Sequence, residues 1–131
     1  MPSVLNSREI EKIQFDATKK PIYEIADFLQ ENLGQKITAY ISGLKHPKEV
    51  GNWISKHANP QDTKTMRLRY AYQAARMLID IYDANTAKAW FFGSNTRLDD
   101  EAPAFLIRNA NDPESLRFII PAARAFAETA E

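Results

Sequence analysis

Seven prolines and four glycines cut this 131-residue chain into short segments, and inside those segments apolar residues recur at three- and four-residue intervals. Hardly any stretch alternates every second residue or concentrates β-branched side chains as a strand would. The expected fold is therefore all-α, a bundle of short helices. Pro21 suits the first position of a helix, where its missing N–H costs nothing, and Ile22, Ile25, Ala26, Leu29 and Leu33 then form one apolar face that stops at Gly34. A shorter helix is predicted over residues 35–42, with Ile37, Tyr40 and Ile41 inward, followed by Gly43 as the turn residue. His46 and Pro47 open a third, with Val50, Trp53 and Ile54 on its inner edge, and the polar run 57–62 ends it.

The longest helix is predicted over 64–82, carrying Leu68, Ala71, Ala75, Leu78 and Tyr82 at helical spacing. Beyond it come a short helix over 85–92 ending at Gly93, a polar link over 94–101, and one or two helical turns over 103–108. Asp112 before Pro113 is a good start for a last helix with Leu116, Ile119, Ile120 and Ala123 inward and Phe126 near its end. Pro121 then requires either a kink or a new helix. Three regions follow: an N-terminal arm at 1–20, a helical region at 21–83, and a second helical region at 84–131.

The total charge is zero, yet it is unevenly spread. Residues 1–33 carry net −2, residues 34–76 net +6 and residues 77–131 net −4. A field is set locally, so a basic middle between acidic flanks suits a face that meets phosphates. Within that basic middle, residues 35–56 have the form of a helix-turn-helix. Ala39 and Gly43 supply the small residue and turn glycine four apart, and Val50 with Trp53 supplies the inward pair of the second helix. Lys45, His46 and Lys48 lie at the start of that helix, Asn52 one turn on and Lys56 at its end. Asn52 is the candidate for reading a base edge, adenine by preference, and the lysines and His46 are candidates for phosphate or guanine contacts. The span from Gly43 to Val50 is one residue longer than the commonest spacing of this motif. A double-stranded DNA operator is the expected partner, met by a homodimer or larger complex because paired recognition helices need a symmetric site.

Enzymatic chemistry finds little footing. The chain has no cysteine, and His46 and His57 flank one short helix with no acid paired to either, which leaves neither a zinc set nor a triad. Gly34, Gly43, Gly51 and Gly93 stand alone, so no phosphate-cradling loop exists. Asp99, Asp100 and Glu101 precede a short helix, whose positive end accounts for them. The expectation is a protein that binds, is no enzyme and needs no cofactor. Absence of cysteine and of a signal-like N-terminus fits a cytoplasmic setting, and apolar runs such as 89–92 are too short to span a bilayer.

The second half carries a further pattern. Ala89-Trp90-Phe91-Phe92-Gly93-Ser94-Asn95 leads to Leu98-Asp99-Asp100 and then to Ala102-Pro103-Ala104-Phe105-Leu106-Ile107. This order resembles the C-terminal toxin-binding domain of the Xre/MbcA/ParS antitoxin family, in which an Ala-Trp pair precedes an Asn turn, a Leu and a Pro leading into an apolar helix. With the helix-turn-helix before it, the resemblance covers residues 22–126; the family's glycine after the apolar helix is missing from 109–115. What the resemblance implies is an antitoxin that represses its own operon and blocks a RES-domain toxin, an enzyme that consumes NAD. It also implies a partner-facing surface that would include Arg117, Arg124, Phe126, Glu128 and Glu131. On spacing alone Trp90, Phe92 and Leu106 read as core. A free-standing repressor whose C-terminal half makes dimers is the alternative expectation.

Overall fold

The computed structural model describes residues 5–59 and 61–128. Eight α-helices and two short 3₁₀ turns make up the regular structure among these residues, with no strand, so the chain is all-α as its periodicity requires.

The expected arm at 1–20 contains a helix, α1 (Ser7–Lys19). Its start is a reciprocal cap: the Glu9 N–H donates to Asn6 Oδ1 at 2.8 Å, and the Asn6 N–H donates to Glu9 Oε1 at 2.9 Å. Only Ile13, Asp16 and Ala17 of α1 are buried, so it is a thin amphipathic layer. Next come α2 (Ile22–Leu33), α3 (Gln35–Ser42), α4 (Lys48–Ser55) and α5 (Thr63–Ile81). Pro21 has no side-chain acceptor to offer α2, and Asn59 fills that role from a distance, its Oδ1 accepting from the Ile22 N–H at 2.8 Å. Asp62 and Thr65 form the reciprocal cap that starts α5. After α5 follow α6 (Ala84–Phe92), capped by Asp83, then a 3₁₀ turn at Thr96–Leu98, α7 (Pro103–Asn109), a second 3₁₀ turn at Pro113–Leu116, and α8 (Ile119–Ala127). The last helix thus does not start at Pro113. Pro121 falls in the first turn of α8, where a backbone N–H has no intrahelical partner to lose.

Helix α5 is the axis, packing against α1, α2, α3, α6, α7 and α8. Its Leu68, Ala71, Tyr72, Ala75 and Leu78 are buried in a core that runs from Ile13 to Ala123. That core crosses the expected boundary between 83 and 84, so the two regions share one interior. Each fully buried Leu or Ile contributes about 1.5–3 kcal/mol relative to exposure, and α5 touches enough of them to order the helices around it. No helix among the described residues is long and apolar enough to cross a membrane.

Candidate nucleic-acid interface

Helices α2, α3 and α4 pack on one another, which puts the predicted pair α3–α4 on a platform formed by α2 and α5. Val50 is fully buried, and Trp53 and Ile54 are half-buried against the core, as the inner edge of α4 requires. Ala39 is buried at the α3 end of the pair. Gly43 adopts φ +88°, and the Leu44 N–H reaches back to the Ala39 carbonyl at 3.0 Å while the Gly43 N–H bonds the Tyr40 carbonyl at 3.1 Å. That is the Schellman arrangement, with glycine in the left-handed position. Helix α4 ends the same way, with the Ala58 N–H on the Trp53 carbonyl at 2.9 Å and His57 left-handed at φ +50°. His57 stacks on Tyr23 at 4.5 Å between ring centroids, so its place is that of a helix terminator.

The expected DNA-facing residues all lie outward: Lys45, His46, Lys48, Asn52 and Lys56 are exposed. Among the described residues, none of these lysines enters an ion pair. The arginines of the same basic stretch are placed otherwise. Arg67 donates to the Ser42 and Ala110 carbonyls, both at 2.9 Å. Arg69 donates to the Lys20 and Ala17 carbonyls at 2.8 and 3.1 Å, closing the carbonyl end of α1. Arg76 meets Asp16 at 3.3 Å and the Tyr72 hydroxyl at 2.7 Å. Burial depresses the basicity of Arg67, with the nearby Arg108 charge adding to it, and burial alone depresses that of Arg69. The excess of positive charge read from the sequence therefore divides into inward arginines, which hold helix ends, and outward lysines.

On the C-terminal side, Arg117 and Arg124 are exposed and pair with Glu114 at 3.2 Å and Glu128 at 4.0 Å. Phe126 is 37% exposed, packs on Tyr82 at 5.3 Å, and its carbonyl accepts from the Tyr82 hydroxyl. Glu131 lies outside the described residues. Trp90 is buried, and Leu106 is half-buried against the core. Phe92 departs from the core assignment: it is 47% exposed at the end of α6, with its ring against Tyr40. Helical spacing alone cannot place it, because the last residue of a helix can turn either way.

Sequence reasoning missed Arg97 and Phe118. Arg97 lines three adjoining shallow grooves around the Thr96–Leu98 turn, the one toward Leu106 and Phe118 being about 430 Å³. Phe118 is 57% exposed beneath the Arg117 guanidinium, which lies 4.6 Å from its ring centre. A phenylalanine one residue before a helix, next to an arginine, was the available signal. Asp99 and Asp100 are both left-handed, at φ 55° and 67°, and form a tight turn closed by the Asp100 N–H on the Asn95 carbonyl at 2.8 Å. They do not lie at the first turn of α7, which Ala102 precedes. Among the described residues no group of three His, Cys, Asp or Glu could hold a metal ion.

No protein-family model matches the chain, and no curated protein or solved structure matches it either.

Proposed function

We propose that this chain is a DNA-binding regulator of the antitoxin kind, which meets a double-stranded operator with α4 and a partner protein with its C-terminal face. One observation carries the DNA half of the reading: the inward arginines of the basic stretch are consumed by backbone carbonyls and carboxylates, whereas Lys45, Lys48 and Lys56 stand outward beside His46 and Asn52. Among the described residues no ion pair holds Lys45, just before α4, Lys48, at its start, or Lys56, at its C-cap, so three ammonium groups are available to phosphates, and the exposed Asn52 amide among them can read a base edge.

The partner half rests on the resemblance, with Arg97, Arg117, Arg124 and exposed Phe118 giving the C-terminal face arginine and aromatic groups of the type enriched at protein interfaces. The partner it supplies is a RES-domain toxin, and the setting for both tasks is the cytoplasm. The chain acts by binding alone, as a homodimer or in a complex with the toxin.

Fluorescence anisotropy with a duplex from upstream of the chain's own reading frame tests the DNA half. Affinity falls steeply with added salt, Lys48→Ala weakens binding to all sequences, and Asn52→Ala mainly relaxes base choice. Binding that ignores salt and both substitutions would reject it. For the partner half, co-expression with a RES-type toxin restores growth in the wild type, and Arg97→Glu abolishes the rescue; growth arrest unrelieved by the wild-type chain rejects that assignment.

A further inference from the structure

The carbonyl end of α3 is gripped from outside the α3–α4 pair. Arg108, on α7, donates from Nη1 to the Tyr40 carbonyl at 2.6 Å, and its guanidinium lies 4.6 Å from the centre of the Tyr40 ring. Arg67, on α5, donates from Nη1 to the Ser42 carbonyl and from Nε to the Ala110 carbonyl, both at 2.9 Å. Its remaining nitrogen faces Asn111 Oδ1 at 3.4 Å. Phe92, at the end of α6, packs on Tyr40 from another side at 5.7 Å. Three elements outside the pair thus hold the last turn of α3, and the Gly43 turn that launches α4 begins there.

Helix α4 packs chiefly on α2 and also on α3. The α2 contact holds its inner face, while the point from which it starts is set by the α3 carbonyl end and the Gly43 turn that lead into it. We infer that Arg108 and Arg67 are positioning residues for the outward ridge of Lys45, Lys48 and Asn52, so that the DNA-reading unit extends beyond residues 21–83 into α7 and residues 110–111. The inference rests on the reading of α4 as the DNA-facing helix. Its physical basis is a pivot: carbonyls at a helix C-terminus carry partial negative charge and have no intrahelical donors, and two guanidiniums fix them at defined points. The arginines also repel each other, Arg108 helping to depress the basicity of Arg67. Removing Arg108 relieves that repulsion, which offsets part of the lost contact and favours a variant that still folds.

The test uses the full chain with Arg108→Met and Arg108→Lys. Salt titrations of anisotropy with the upstream duplex separate positioning from direct contact. If Arg108 positions α4, both variants lose about tenfold in affinity, or about 1.4 kcal/mol, while the salt slope stays at the wild-type value. If Arg108 instead touches phosphate, Lys restores affinity and Met lowers the slope by about one, which overturns the inference. Amide exchange of the free protein supplies the second readout: Gly43 and Leu44 exchange faster in both variants while α2 and α5 keep their protection. Unchanged exchange at Gly43 and Leu44 overturns the inference whether or not DNA binds. Should the Met variant fail to fold, the Lys variant carries both measurements. Wild-type protein with no salt-dependent binding at all, yet faster exchange in the variants, would instead reject the proposed function and leave the pivot standing.

Discussion

Gly43 is under two separate constraints. Its φ of +88° lies where an L side chain is strained, and a Cβ there would collide with the Arg67 guanidinium. The far end of an arginine can usually move aside, but this one is moored to the Ser42 and Ala110 carbonyls. Gly43→Ala therefore costs the left-handed penalty of about 1–2 kcal/mol and, with Arg67 displaced, part of a charge-assisted hydrogen bond worth about 1.5–3 kcal/mol. A combined loss of about 2–4 kcal/mol is expected in urea denaturation. Gly51 gives the opposite expectation from the same chain. It sits inside α4, and a Cβ would meet only the amide end of Gln35 at 3.2 Å, which can swing away. Gly51→Ala should raise stability by about 0.5–1 kcal/mol through the lower entropy of the unfolded chain. A loss of stability there would mean that Gln35, held to Gln30 at 3.1 Å, does not yield.

At the level of elements, α1 combines a thin apolar stripe with polar fastening. It buries two apolar side chains, Ile13 and Ala17, and is fastened by Arg69 at its carbonyl end and by Arg76 at Asp16. Burial pushes the Asp16 carboxyl up, but hydrogen bonds from Arg76 and Lys12 and the charges of Lys12 and Lys20 outweigh it, leaving Asp16 below the ordinary carboxylate value. Asp80, the other carboxylate on Arg76, is held above that value, chiefly by burial. A depressed Asp16 contributes stability above its unfolded pKa of about 3.9 and loses it as pH falls through the lower folded value. Amide protection over 7–19, taken relative to the intrinsic exchange rate at each pH, should therefore fall on acidification below about pH 4 while α5 stays protected. Asp16→Asn should show the same loosening already at neutral pH, costing about 1 kcal/mol for one removed partner of a half-buried pair; identical exchange in the variant would discount the Arg76 clamp. The helices with strong apolar faces were legible from spacing and from Pro21, Gly34 and Gly43. Helix α1 was not, because its apolar stripe is too thin to stand out, although Asn6 and Glu9 three residues apart already had the form of a reciprocal cap. The break between the Pro113–Leu116 turn and α8 was equally hidden, since Leu116 and Ile119 keep helical spacing across a backbone that changes type.

Across the whole molecule, the distribution of charge along the chain overstated the cationic face. A count cannot tell an arginine that caps a helix from a lysine that faces water; that depends on which carbonyls α5 brings near Arg67 and Arg69, which is a property of packing. What remains outward at α4 is Lys45, Lys48 and Lys56, and this smaller set makes a sharper forecast than the segment total. Each phosphate neutralised by one of these groups releases counterions and adds about −0.9 to the slope of log affinity against log salt. One copy using three lysines should thus show a slope near −3, and raising salt from about 50 to 200 mM should weaken it about fortyfold. Two copies on a symmetric site should double the slope and lose on the order of 10³-fold over the same range. The titration consequently counts copies as well as contacts. A slope near −6 or beyond from protein that is monomeric on the DNA would require cations outside α4, such as exposed Lys36, to reach phosphate, because Arg67 and Arg69 are committed to the carbonyls at Ser42, Ala110 and Lys20.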